Sequence, residues 1–372
     1  MPADKKLKVS HVLFSGLGGH GNVFFSMVDA DKERHCEYSA VFMGIEQVRE
    51  EFVQKCNEKG ILFYAVQKKQ GLDRKAFWEV YRSIKKLRPD IIFLHTPTNI
   101  LPAILYRFRS GFRAKIMMRE TQPPHLKTKR EWMGLYLSLF FAKRIFYLTQ
   151  EFYDAVKKKT GIFFGKKKNK LVPNGIDLTL FHPGVETDFG KSPLLLGMQG
   201  RLYKTKDHLT LLEGFALLKD RPYYEKLELH IAGDGFMRAQ LEARTKELGI
   251  DSKVKFLGML EERQLPSFLR SLGIYIHASL GETMSTAIMQ VMGCGLPVIA
   301  SDIFGIRGMV NDGENGLLVP PKDPGAIANA VDRLYNDAAL RRRLAKAGHA
   351  YAERYFSNER MWADYKKEFD HC

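Results

Sequence analysis

Short apolar runs alternate with longer stretches of helical period along the chain. In the first half the runs are KVSHVLFS (8–15), YSAVFMG (38–44), ILFYAV (61–66), DIIFLHT (90–96), AKIMMRE (114–120), RIFYLT (144–149) and KLVPN (170–174). Helical patterns lie between them, such as DRKAFWEVYRSIKKL (73–87), which ends in a basic turn before Arg88-Pro89. This alternation predicts a parallel sheet covered by helices on both faces. A second series follows: LLLGMQGRL (194–202), LELHIAG (227–233), KVKFLG (253–258), GIYIHA (273–278), PVIAS (297–301) and GLLVP (316–320). Between the two series, NGIDLTLFHPGVETDFGKSP (174–193) is rich in Gly, Pro and Asp and has no period, which predicts a linker. The expected architecture is therefore α/β, with two Rossmann-like, doubly wound domains facing a central cleft. Ligands are expected at the carboxyl ends of the strands.

Length supports the division, because 372 residues is long for one core. The amino terminus, MPADKKLKVSHVLFSG, turns straight into a strand, with no apolar region of secretory length. The nearest approach to a membrane span, WMGLYLSLFFA (132–142), is ended by Lys143 and Arg144, and it is expected to cover the sheet. Cys36, Cys56, Cys294 and Cys372 have neither metal-ligand spacing nor disulfide density, which suits a reducing, cytoplasmic compartment. Charge changes the picture more. Net charge is +16, yet residues 1–175 hold 33 Lys+Arg against 16 Asp+Glu, and the rest of the chain is close to neutral. A one-sided excess of this size implies an anionic partner for the first half.

Three motifs carry candidate chemistry. GLGGHG (16–21) follows the first strand and formally fits the glycine fingerprint of nicotinamide or flavin enzymes. No acid closes the second strand to hold a ribose, so the safer reading is backbone amides approaching an anion at a helix start. GRLYKTKDH (200–208) places Arg201 and Lys206 across a turn at a strand end, where a fork and a point charge can converge on a diphosphate. GETMSTAIMQVMGCGLPVIASD (281–302) puts Glu282 ahead of a helix expected to begin at Ser285 and Thr286, with Gln290 two turns on. Amides at that helix start would meet an anion, and Glu282 would read hydroxyls on a group attached to it. Together these describe a nucleotide-sugar site.

The chain resembles the retaining glycosyltransferases of family 4, which have the GT-B fold. The resemblance runs through RPDIIFLH (88–95), VPNGIDLTLF (172–181), GRLYKTKDH, HIAGDGFMRAQLE (230–242), VKFLG (254–258), ETMSTAIMQVMGCGLPVIASD and NGLLVPPKD (315–323). It implies an amino-terminal acceptor domain over 1–180 and a donor domain over 181–356, with a final helix at about 357–372 packed back on the first. It also implies that Arg201 and Lys206 hold the donor diphosphate, with Met284, Ser285 and Thr286 beside them. Glu282 would contact the donor sugar, Gly18 and Gly19 would approach the donor from the first domain, and His95 would lie near the reacting sugar. No cofactor and no essential metal are implied. Gln290 departs from the pattern, because the family carries a second acid there that reaches the nucleotide ribose. An amide can still accept one hydroxyl but cannot offer two charged oxygens to a diol.

In the basic half, KKKTGIFFGKKKNK (157–170) sets Ile162, Phe163 and Phe164 between Lys157, Lys158, Lys159 and Lys166, Lys167, Lys168. Charge for headgroups and aromatic rings for the interface suit an anionic membrane surface. Nucleic acid ranks low, since no recognition motif for it is present. The expected protein is a glycosyltransferase of the lipopolysaccharide or polysaccharide type, peripheral on the inner face of the cytoplasmic membrane. It would move a hexose-type sugar from a nucleoside diphosphate to a lipid-linked or cell-surface glycan. A GT-B epimerase or hydrolase, or a non-catalytic nucleotide-sugar-binding protein, are the alternatives.

Overall fold

A computed structural model describes residues 6–16, 19–184 and 194–371. The chain divides into two compact units, Met1–Gly175 with Asn358–Cys372, and Ile176–Ser357. The first holds seven strands: β1 (Leu7–Phe14), β2 (Cys36–Gly44), β3 (Leu62–Gln67), β4 (Ile91–Leu94), β5 (Lys115–Glu120), β6 (Arg144–Tyr147) and β7 (Asn169–Leu171). They pair in the order β3-β2-β1-β4-β5-β6-β7, and every pairing is parallel. The second holds β8 (Leu194–Gln199), β9 (Leu227–Ala232), β10 (Val254–Gly258), β11 (Ile274–His277), β12 (Val298–Ser301) and β13 (Leu317–Val319), ordered β10-β9-β8-β11-β12-β13 and again all parallel. Both sheets are doubly wound. Strand order reverses between β1 and β4 in one unit and between β8 and β11 in the other, and those reversals are where such folds bind ligands.

The apolar runs became these strands because both faces are covered. Ile91–Leu94 and Ile274–His277 are buried at every position, as expected of parallel strands under helices on two sides. Local signals set the helix ends. Asp73 accepts from the Lys75 and Ala76 amides at the start of helix Arg74–Leu87. That helix stops where Arg88 turns left-handed ahead of Pro89. The last helix, Asn358–Asp370, belongs to the first unit, where Met361, Trp362, Tyr365 and Phe369 pack on Val9, Ile91, Phe93, Met117 and Phe146. Burying each such side chain is worth about 1.5–3 kcal/mol. Glu368 of that helix anchors it by ion pairs to Arg144 and Lys170.

Two expectations change. Ile176 and Phe181, placed in the linker by composition, are buried in the second unit, where Ile176 pairs with Ser357. Residues 185–193 of that segment lie outside the described residues. Helix Lys129–Phe141 turns only Gly134, Leu135, Ser138 and Leu139 inward, and it leaves Met133 and Phe140 exposed. Among the described residues no helix is long and apolar enough to cross a membrane.

Candidate active site

In the second unit the strand reversal gathers side chains from three places. β11 ends at His277, the following turn carries Glu282, and the turn after β8 carries Lys206. Lys206 Nζ forms an ion pair with Glu282 Oε1. The same oxygen lies 2.8 Å from His277 Nε2 and 3.3 Å from the Ser279 hydroxyl, which donates to it. Since a carboxylate only accepts, His277 donates from Nε2, and its Nδ1, 3.2 Å from the Tyr275 hydroxyl, is the acceptor nitrogen. Burial opposes the Glu282 charge, but Lys206 and His277 overcome it and hold the carboxyl at about 2. Burial and then Lys206 push His277 below its usual range, so the ring is neutral at pH 7.

The loop that shapes this turn depends on Gly305. Its φ is +84°, and a Cβ there would meet the Glu282 and Thr283 carbonyls at 2.5 and 2.6 Å. Only a glycine lets the two backbones approach so closely. Met284 is buried beside the turn. Ser285 caps helix Thr286–Gly293, its hydroxyl accepting from the Ile288 amide. The Ser285 amide, expected to point at an anion, instead donates to Met309 Sδ at 3.3 Å, because the 301–310 loop folds over it. Arg201 is exposed, its guanidinium 5.1 Å from the Tyr203 ring.

Gln290, expected to face a ribose, has a side-chain partner of its own within the unit. It is buried, and its Oε1 accepts from Gln199 Nε2 at 2.7 Å at the end of β8. An amide stands here because its neighbour is another amide. Gln199 supplies a neutral donor, whereas a carboxylate at this depth would have to be desolvated. Gln199 Oε1 is buried without a partner, so the pair has one acceptor in reserve.

The first unit presents a different set. His95 follows β4 and is fully buried. Arg119 Nη1 lies 3.2 Å from His95 Nδ1, and His95 Nε2 lies 3.0 Å from His11 Nδ1. A guanidinium only donates, so Nδ1 of His95 accepts and Nε2–H donates to His11. Both nitrogens of His95 are thus engaged within the unit. His95, expected near the reacting sugar, is held here as a link in a chain. Arg119 Nη2 continues that chain to Asn174 Oδ1. The Thr121 hydroxyl donates to the His95 carbonyl at 3.2 Å and lies 3.2 Å from His20 Nε2. Burial and then Arg119 lower His11 and His20 to about 3, and lower His95 well below its usual value. Glu120, the last residue of β5, is committed to Lys127 in a fully buried pair at 2.6 Å. Gly19 opens helix Gly19–Ala30, and Gly18 lies outside the described residues.

The basic segment divides. Lys157, Lys158, Lys159, Lys166 and Lys167 are exposed, as is Phe163. Phe164, expected at a membrane surface, is buried against Tyr153 and Tyr147, with ring centroids 4.9 and 5.9 Å away. Lys168 turns inward and donates to the carbonyls of Leu139 and Phe140, closing the end of a helix. Sequence reading missed His277, Gln199, His11 and Arg119. A histidine or arginine inside an apolar strand reads as core, and nothing local marks its partners. Among the described residues no group of three or more His, Cys, Asp or Glu could hold a metal ion.

Comparison with known proteins agrees with this layout. The family model described as Glycosyltransferase Family 4 matches residues 17–180, and the one described as Glycosyl transferases group 1 matches residues 185–351. Together they span most of the chain, which belongs to glycosyltransferase family 4. The chain is 30% identical over 168 residues to the lipopolysaccharide core biosynthesis glycosyltransferase LpsE of Rhizobium meliloti (strain 1021). It is 30% identical over 206 residues to the D-inositol 3-phosphate glycosyltransferase of Corynebacterium urealyticum. These matches cover 45% and 51% of this chain and 47% and 48% of those proteins, so the chain spans about half the length of both relatives. A longer match, 26% identical and covering 98% of both chains, joins it to the LpsD glycosyltransferase of the same Rhizobium. Anabaena HepE, solved with UDP and glucose, superposes with a TM-score of 0.81 at 18% identity, over 98% of this chain and all of that one. That likeness shows the fold, which is GT-B with two Rossmann-like units.

Proposed function

We propose that the protein is a retaining glycosyltransferase that moves a hexose-type sugar from a nucleoside diphosphate to a lipid-linked or cell-surface glycan. The observation that carries this reading is the Lys206–Glu282–His277 constellation at the strand reversal of the second unit, one turn from the exposed Arg201. The UDP and glucose in HepE support a nucleotide-sugar donor, and the names of LpsE and LpsD support a lipopolysaccharide-type acceptor.

The donor diphosphate takes Lys206 from Glu282 and is clamped by Lys206, Arg201 and the start of helix Thr286–Gly293. Glu282 stays ionised through His277 and accepts sugar hydroxyls. In transfer, the bond from the anomeric carbon to the diphosphate oxygen breaks with its electron pair moving to that oxygen. The clamp stabilises the charge that develops there. The acceptor hydroxyl bonds on the same face and passes its proton to the departing phosphate. The two cations suffice for the leaving group, so neither cofactor nor essential metal enters the proposal. The acceptor meets the basic first unit at the inner face of the cytoplasmic membrane.

Replacing Arg201 tests this with little risk to folding, since its side chain is exposed. Arg201→Ala is expected to lower kcat by 100- to 1000-fold, about 2.7–4 kcal/mol, with an unchanged melting temperature. Turnover of a panel of nucleotide sugars with glycan acceptors is the measurement. Wild-type turnover in the variant removes the clamp, and free sugar or an epimer formed with no acceptor requirement replaces transfer by hydrolysis or epimerisation.

A further inference from the structure

Helix Lys129–Phe141 has the sequence KREWMGLYLSLFF, apolar nearly all round. A helix on a protein surface ordinarily turns a polar face outward. Here the inner face is closed: Gly134 lies so near Pro97 that a Cβ would come within 2.8 Å of the Pro97 carbonyl. The outer face carries Met133, 57% exposed, and Phe140, 60% exposed, with Tyr136 and Leu137 half-buried between them. The loop after helix Gln150–Thr160 extends this stripe. Phe163, 48% exposed, stands 5.7 Å from Phe140 and 5.9 Å from Tyr136 by ring centroid, and Ile162 beside it is 95% exposed. Single exposed apolar residues are ordinary, but a contiguous group from two elements marks a contact surface.

Charge identifies the occupant. Residues 157–170 contain seven lysines and no acid, and Lys157, Lys158, Lys166 and Lys167 are exposed on both sides of Ile162 and Phe163. Phe140 and Phe163 are tilted by 59°, and Tyr136 and Phe163 by 89°, so the rings pack on one another and do not form an open platform for stacked bases. Apolar tips flanked by ammonium groups fit the boundary between lipid headgroups and acyl chains.

We propose that the face formed by Met133, Phe140, Ile162 and Phe163 docks on an anionic bilayer, with the flanking lysines on the headgroups. The inference rests on the peripheral-membrane reading above and deepens it by naming the surface. It enlists helix Lys129–Phe141, whose apolar run reads in the sequence as cover for the sheet, and it releases Phe164 and Lys168, which face inward.

Co-sedimentation of the full chain with phosphatidylcholine vesicles, and with vesicles that also contain phosphatidylglycerol, tests it. The wild type is expected to bind only the anionic vesicles. The variant Phe140→Ser/Ile162→Ser/Phe163→Ser should bind at least tenfold more weakly. Lys157→Gln/Lys158→Gln/Lys166→Gln/Lys167→Gln should lose at least 100-fold, each lysine being worth roughly fivefold. Melting temperature and affinity for UDP should not change in either variant, and Phe236→Ser, an exposed ring of the second unit, should bind vesicles like the wild type. If the wild type binds and both variants bind equally well, this face is the wrong one and the membrane reading survives. If the wild type ignores anionic vesicles, the membrane reading falls and takes this inference with it. Loss in the serine variant of self-association or of RNA binding, with vesicle binding intact, assigns the face to that partner instead.

Discussion

The two units place polar clusters at the same topological point and balance their charge in opposite ways. In the second unit Lys206 and Glu282 compensate each other, and His277 and Ser279 bond the carboxylate. In the first unit Arg119 is buried among His95, His11 and Asn174, and among the described residues no acid forms an ion pair with it. A compensated pair can be opened by a ligand that replaces one partner, which suits an anionic donor. A guanidinium among neutral imidazoles keeps those rings unprotonated and directs their hydrogen bonds, which suits a rigid wall. The difference teaches that one strand reversal can carry a charge balanced by its opposite or a charge held among neutral rings.

The sharpest way to break this contrast is to remove one cation from each cluster. Lys206→Ala leaves the mostly buried Glu282 without its counter-charge and is expected to cost about 3–5 kcal/mol of stability. Lys206→Met/Glu282→Gln, which removes both charges, should recover most of it. Chemical denaturation measures both, and an equal loss in the double variant would refute the compensation. Arg119→Met deletes a charge that has no acid to strand. It removes the donor to His95 Nδ1 and to Asn174 Oδ1, so about 1–3 kcal/mol is expected. A loss larger than that of Lys206→Ala would reverse the comparison.

Acid sharpens it further. His11 is held at about 3 against an ordinary 6.5, so the unfolded chain binds its proton first as pH falls. Its contribution to stability is complete above pH 6.5 and is lost as pH drops from there toward 3. The slope is about 1.4 kcal/mol per pH unit for one histidine. Glu282, held at about 2 against 4.5, acts lower, where stability present above pH 4.5 is lost as pH falls toward 2. His11→Phe, whose ring fits between Phe24 and Phe93, should therefore make the stability curve shallower by that slope between pH 6.5 and 4.5. Denaturation midpoints across this range are the check, and an unchanged slope would show that His11 is not kept neutral by the fold.

Much of the fold was legible because the signals are local. YSAVFMG and GIYIHA are largely apolar runs, and a short apolar run between turn signals is enough to mark a strand of a covered sheet. Lys206 was legible as a strand-end cation and Glu282 as an acid ahead of a helix start, but their mutual ion pair was not. They stand 76 residues apart, and only the β8–β11 pairing brings their turns together. Gln290 read as a weakened ribose contact because the motif supplied a position and not a neighbour, and Gln199, 91 residues away, supplies the neighbour. Phe163 and Phe164 are adjacent aromatic residues with the same basic flanks, yet the rings part, one outward and one against Tyr153.

By itself, then, the sequence determined the alternation of strands and helices, the doubly wound halves, the charge asymmetry and the turns that bear Arg201, Lys206 and Glu282. These depend on periods and turn chemistry within a few residues of each position. Tertiary structure alone decided which charges meet, which histidine nitrogens accept and which apolar residues of helix Lys129–Phe141 stay outside. Strand order joins segments tens of residues apart, and burial then selects the protonation and partner of each side chain. Neither effect leaves a mark in the local sequence.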